Sequence, residues 1–253
     1  MNYRQFCPIA KACEVLGERW TILIVRELLM GMTHFRDFQR ALPQMSPTLL
    51  AKRLTELVDC GLVIRKELPQ QKRTEYQLTA AGRELKPVVM GLAEWGARWA
   101  RDQMSDDELN VQSIMYSFTR RMDRAHLPDG QIVIEFLFPN LPRFSRWWIV
   151  FEENGKKELC LDHPNARVDA QIKSNLRTMA EIWAGDIDVA TAKQKGRLEI
   201  TGNPVLVRTV RSWLPTSPVA HVRPHPESNW MQRSKNPAPE KRQARSRQSA
   251  SRS

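Results

Sequence analysis

The sequence predicts an α+β chain in three parts: a helix-rich unit with one hairpin, a strand-rich unit with helices, and a basic tail. Three observations predict it. Short helical patterns punctuated by Gly and Pro fill the first hundred residues, the hydrophobic period then turns strand-like over four successive runs, and charge is partitioned along the chain. Of 253 residues, 39 are Lys or Arg and 28 are Asp or Glu, a formal net charge of +11. Residues 1–103 carry 16 basic and 11 acidic side chains, residues 104–222 carry 15 of each, and residues 223–253 carry 8 and 2. Basic flanks around a neutral centre favour a polyanionic partner.

In the first unit, Pro8 to Leu16 opens with a proline suited to a first helical turn and stops at Gly17. Glu18 to Met30 brings Ile22, Leu23, Val25, Leu28 and Leu29 before Gly31, and Thr33 to Leu42 ends at Pro43. Ser46 then reads as an N-cap with Pro47 at the first helical position, and Leu50, Leu54, Leu57 and Val58 make one apolar side before Cys60-Gly61 closes the helix. Leu62, Ile64, a polar tip at residues 69–73, Tyr76 and Leu78 read as a hairpin. A long helix after Thr79 carries Leu85, Val88, Val89, Leu92, Trp95 and Trp99 as a stripe, with a kink expected at Pro87.

In the second unit, Ser105 to Glu108 is a capping box expected to open a helix through Met122. Ile132–Phe138, Arg146–Glu152, Glu158–Asp162 and Arg167–Ile172 read as a four-stranded meander, with Asn154-Gly155 as a hairpin turn. Helices over Asn175–Ala184 and Val189–Gln194, a strand over Arg197–Thr201 and a helix over Pro204–Leu214 complete it. From Arg223 the chain holds four prolines, six serines and eight basic residues, a composition that predicts disorder.

Four helices, a basic-tipped hairpin and a fifth helix are the layout of a winged helix-turn-helix, whose reading helix fits the major groove of double-stranded DNA. The polar face of the fourth helix carries Ser46, Thr48, Lys52 and Thr55, with Arg53 beside it; Arg36 and Arg40 lie on the preceding helix, and Lys72 and Arg73 at the hairpin tip. Helix-surface pairing with Glu56 competes for Lys52 and Arg53, at i+4 and i+3.

The pieces CPIAKACEVLGERWTILIVRELLMG, HFRDFQRALP, SPTLLAKRLTELVDCGLVIRK and TEYQLTAAGREL resemble the HxlR family of bacterial winged-helix transcriptional regulators over Cys7 to about Trp99. The resemblance implies a homodimer joined by the first and last helices of this unit, a palindromic operator, and no catalysis. It also implies a redox or electrophile sensor at Cys7 in some members. At a helix start, free amides and the dipole favour a thiolate; burial as a small apolar residue is the alternative. Two departures, His34 and the hairpin QQKRTEY, bear on operator sequence.

Residues 167–214 resemble the C-terminal half of the sterol carrier protein type 2-like fold, through a helix ending at Gly185-Asp186, then Lys195-Gly196-Arg197, a strand ending at Gly202 and a terminal helix. That resemblance implies helices over a sheet with a hydrophobic small-molecule ligand between them. Phe136, Phe138, Trp147, Trp148, Phe151, Trp183 and Trp213 are the candidates to line such a cavity, or else they fill a core; of Trp147 and Trp148, one alone can face inward.

The five histidines are scattered, no G-x-S-x-G, H-E-x-x-H, G-x-x-x-x-G-K or G-x-G-x-x-G occurs, and the four cysteines form no C-x-x-C. We therefore expect neither an enzyme nor a cofactor or metal site. No uncharged run exceeds 11 residues and the start lacks a secretory h-region, so neither membrane insertion nor export is expected, and the cytoplasm is the expected location. The reading is a DNA-binding transcriptional regulator modulated by a hydrophobic ligand or by thiol oxidation. The alternative is a lipid or acyl-ligand carrier with basic flanks.

Overall fold

The computed structural model describes residues 2–68, 73–101 and 105–228. Helices α1 (Pro8–Leu16), α2 (Thr21–Leu29), α3 (Phe35–Ala41) and α4 (Pro47–Asp59) precede an antiparallel hairpin, β1 (Val63–Leu68) and β2 (Arg73–Leu78). Ile24, Val25, Phe38, Leu50, Leu54 and Leu57 bury almost completely in one cluster, each worth about 1.5–3 kcal/mol of transfer free energy. The hairpin is tied to α3 by the Tyr76 amide donating to the Thr33 carbonyl at 2.8 Å.

The run after Thr79 is two helices rather than one kinked helix: α5 (Ala80–Glu84), capped by the Thr79 hydroxyl, and α6 (Lys86–Trp99). Pro87 lies in the first turn of α6, where its missing N–H costs no helix bond, so it starts a helix instead of bending one. A Cβ at Gly82 would stand 2.3 Å from the Leu62 carbonyl oxygen, so α5 and the hairpin approach as closely as glycine permits. The expected stripe is also divided: Val89 is buried in the core, whereas Val88, Leu92 and Trp95 are half exposed.

The Ser105–Glu108 capping box exists, but it closes a single 3₁₀ turn. The helix itself, α7 (Val111–Arg121), is capped by Asn110. Strands β3 (Ile132–Leu137), β4 (Arg146–Phe151), β5 (Lys157–Cys160), β6 (Ala170–Ser174) and β7 (Leu198–Gly202) form one sheet in the order β5-β4-β3-β6-β7. The four-stranded meander is thus corrected: β6 does not follow β5 in space but returns to pair parallel with β3, and β7 adds antiparallel to β6. Helices α8 (Leu176–Ala184), α9 (Val189–Gln194), α10 (Pro204–Arg208) and α11 (Val210–Trp213) complete the unit; Thr209 separates the last two, where one helix was expected.

The units meet through α3 and α7, where Arg40 donates to the Tyr116 hydroxyl at 3.2 Å, and through α2 and α7, where Arg120 pairs with Glu27. Glu27 is 1% exposed and also holds Arg26. Arg101, just past α6, reaches the Ala184 and Val222 carbonyls and Asp186. Residues 223–228, which composition assigns to the tail, pack here as well: His225 stacks on Trp99 at 4.2 Å between centroids, and Ser228 is buried. An aromatic stack and a backbone bond to Arg98 hold what composition alone leaves free. The rest of the tail, from 229, lies outside the described residues.

Candidate nucleic-acid interface

Helix α4 is built to leave one face open. Ser46 sits in extended backbone at its N-cap and accepts from the Leu49 amide at 3.3 Å, and Pro47 occupies the first turn. Leu50, Leu54 and Leu57 turn into the core, and the helical period brings Thr48, Lys52 and Thr55 out to solvent, while Ser46 is exposed at the helix end. The Lys52 side chain is 66% exposed, and its ammonium is 3.9 Å from Glu56, a loose surface pair that a phosphate can displace. Arg36 is exposed on α3, and Arg73 is exposed at the start of β2. Lys72 lies outside the described residues.

One of the expected contacts is corrected. Arg53 is not on the open face: its side chain is 10% exposed, with 2.7 Å to Glu18, 2.6 Å to Glu56 and 3.3 Å to the Arg19 carbonyl. These partners, the Glu56 hydrogen bond first, raise its guanidinium pKa further and fix it as a brace between α4 and the loop before α2. The physical reason is rotation: Arg53 precedes core residue Leu54 by one position and so lies at the edge of the buried face. Glu18 lies 35 residues away in sequence, and no local signal announces it. Arg40 is exposed but engaged, with Tyr116 and with Asp37 at 3.6 Å, so it serves the junction between the units.

Cys7 is the N-cap residue of α1, half buried, and its side chain makes no cap hydrogen bond. Cys13 and Cys60 are exposed; burial raises the Cys160 pKa, and Glu158 adds to the effect.

The expected ligand-lining aromatics mostly fill a core. Phe136 and Phe138 are 0% and 1% exposed among Met115, Phe118, Trp147, Ile149 and Trp213, and Phe118 stacks on Phe136 at 5.8 Å. Trp148 points to the other side of the sheet, against Val133, Val150 and the 160–168 segment. Alternation along β4 dictates that division, since neighbouring residues face opposite sides. Of the seven candidates Trp183 alone borders a large cleft, and that cleft lies between the two units rather than under the sheet. Among the described residues no helix is long and apolar enough to cross a membrane.

Residues 15–104 match the family described as HxlR-like helix-turn-helix. The helix-turn-helix transcriptional regulator YvaP of Bacillus subtilis is 39% identical over 101 residues, which make up 39% of this chain and 94% of that protein. Regulator sll1512 of Synechocystis is 35% identical over 104 residues, 41% of this chain and 77% of its own. Of solved structures, the redox regulator HypR in its reduced form shares 32% identity over 36% of this chain and 90% of that one, with a TM-score of 0.34. A winged arrangement with an open polar face on α4, and regulators matched over 94% and 77% of their own length, lead to one assignment: the chain belongs to the HxlR-type DNA-binding transcriptional regulators.

Proposed function

We propose that the chain reads a two-fold operator as a homodimer in the cytoplasm, with Ser46, Thr48 and Lys52 of α4 facing the groove and Arg36 and the hairpin gripping flanking phosphates. The observation that carries this is the exposed polar face of α4 above a buried leucine row. Short hydroxyl side chains at a helix N-terminus let the backbone approach phosphate and base edges, and Lys52 supplies mobile positive charge. Dimerisation is assigned to the apolar residues that the single chain leaves half exposed or more, Phe6 and Ile9 near α1 and Val88, Leu92 and Trp95 on α6.

The second unit is read as sterol-carrier-like in outline. Supporting this are the order α8, Gly185-Asp186, α9, β7 ending at Gly202, then α10, and the left-handed Gly185, whose missing Cβ admits the Ala220 carbonyl oxygen within 2.5 Å of where it would stand. Its role is to hold and modulate the reader. Cys7, unoccupied by capping and adjacent to the proposed dimer surface, is the proposed thiol sensor.

The test is selection of a duplex from random DNA, followed by affinity measurement with Thr48→Ala plus Lys52→Ala. Expected is a loss of at least tenfold for the selected duplex with unchanged thermal unfolding. Parent-like affinity in a folded double variant would remove α4 from the interface.

A further inference from the structure

A cleft of about 1210 Å³ lies between the reader and the second unit. Its walls are α2 and α6 on one side and α7 with Trp183 on the other. That is ample for a small organic molecule with its water. The face of α6 it uses, Lys86, Val89, Met90 and Ala93, is opposite the exposed Val88, Leu92 and Trp95 by the 3.6-residue period, so the cleft and the proposed dimer surface do not compete.

Charge at the α7 end of the cleft is unbalanced. Arg26, Arg120 and Arg121 all line it, yet among the described residues Glu27 is the one carboxylate paired with them, and it is taken by Arg26 and Arg120. Arg120 also keeps a buried Nε without a hydrogen-bond partner among the described residues. Arg121 rests over the Trp183 ring at 5.9 Å; the partial desolvation of its guanidinium, and then Arg120, push its pKa down. Asp107 and Glu108 line the cleft from the 3₁₀ turn, where Glu108 is occupied with the Ser105 amide. Trp20, another wall residue, is held at φ 80°, a left-handed conformation costly for a side chain of its size. The remaining wall is mixed: Val89, Met90, Leu109 and Val219 form an apolar stretch, and Gln44, Asn110, Ser113 and Tyr116 a polar one.

We propose that this cleft binds an amphipathic carboxylate, its anionic head held by Arg120 and Arg121 and its apolar body lying along Trp183, Met90 and Leu109. A carboxylate supplies a counter-charge for Arg120 and Arg121, whose neighbouring Glu27 is already shared with Arg26, and an aromatic or short acyl body covers the apolar stretch of the wall. Because the walls come from both units, occupancy fixes the reader against the second unit and so changes the fit of a dimer to its operator. Binding itself stands apart from the DNA-reading assignment; only that regulatory consequence rests on it.

The test is calorimetric titration of the full chain with 1-naphthoate and, as its neutral counterpart, 1-naphthalenemethanol. Expected is binding of the acid at least tenfold tighter than the alcohol. Arg121→Gln removes that preference while leaving the alcohol unchanged, and Met90→Trp, which crowds the apolar stretch of the wall, weakens both. Arg121 is exposed, so its replacement is expected to fold, and Arg121→Lys restores part of the preference. Equal binding of acid and alcohol, acid binding insensitive to both variants, or no heat with either probe at millimolar concentration would overturn the proposal. Titration of the acid into a protein that selects no DNA sequence would leave the site standing and fail the reader assignment instead. Unchanged operator affinity with the acid bound would overturn the regulatory consequence.

Discussion

The reader and the sheet unit bury apolar side chains by different rules. In the reader, α4 and α6 each bury one side and present the other to solvent: a polar face on α4, an apolar one on α6. In the sheet unit, helices close over Phe136, Trp147 and Phe151 on one side, and the 160–168 segment closes over Trp148 and Val150 on the other. An exposed face with a consistent chemistry marks where a partner goes; a row of aromatics marks burial, which serves folding before it serves anything else.

The largest effect that tests this contrast is in the sheet. Phe136→Ala is expected to cost about 3–5 kcal/mol in denaturant unfolding, because the ring is fully enclosed and stacked. A loss below about 1 kcal/mol would show instead that the ring borders empty space. Next is the open face of α6: Leu92→Glu plus Trp95→Glu is expected to convert the proposed dimer to monomer by sedimentation without unfolding it, and an unaltered dimer would reject that surface. Smaller is Arg53→Ala. It is expected to lower stability by about 1–2 kcal/mol, a figure kept low because Glu18 and Glu56 are themselves partly exposed and screened. Smallest is thiol reactivity: the raised pKa of Cys160 favours its protonated form at neutral pH, so an alkylating probe is expected to modify Cys7 faster than Cys160. If oxidation alters DNA affinity, Cys7→Ser is expected to abolish that response.

The elements that were legible in the sequence are those whose cause is local. Ser46 and Pro47 start α4, Asn175 caps α8 and Gly185 ends it, and each does so through atoms within four residues. The register of Leu50, Leu54 and Leu57 likewise fixes which side of α4 stays open. What escaped depends on distant partners. The return of β6 to β3 follows from packing of the whole sheet, and Arg53 is turned inward by Glu18 from another helix junction. Alternation in β3 and β4 is the same for a filled core and for a lined cavity, so Phe136 and Phe138 carried no sign of which they join. The cleft between the units was equally invisible, since Glu27 and Arg120 stand 93 residues apart.

Lys52 and Arg53 are neighbours in sequence, one open and one enclosed, and they therefore give the most direct measurement of the central claim. Affinity for the selected operator is measured against salt concentration for Lys52→Ala and Arg53→Ala, alongside thermal unfolding of each. If α4 reads DNA through its open face, Lys52→Ala reduces the magnitude of the log–log salt slope by about 0.9, the signature of one lost phosphate contact, and leaves unfolding unchanged. Arg53→Ala lowers the unfolding temperature and keeps the slope of the protein that remains folded. The opposite pattern, an unchanged slope for Lys52→Ala with a reduced slope for a stably folded Arg53→Ala, would contradict the account.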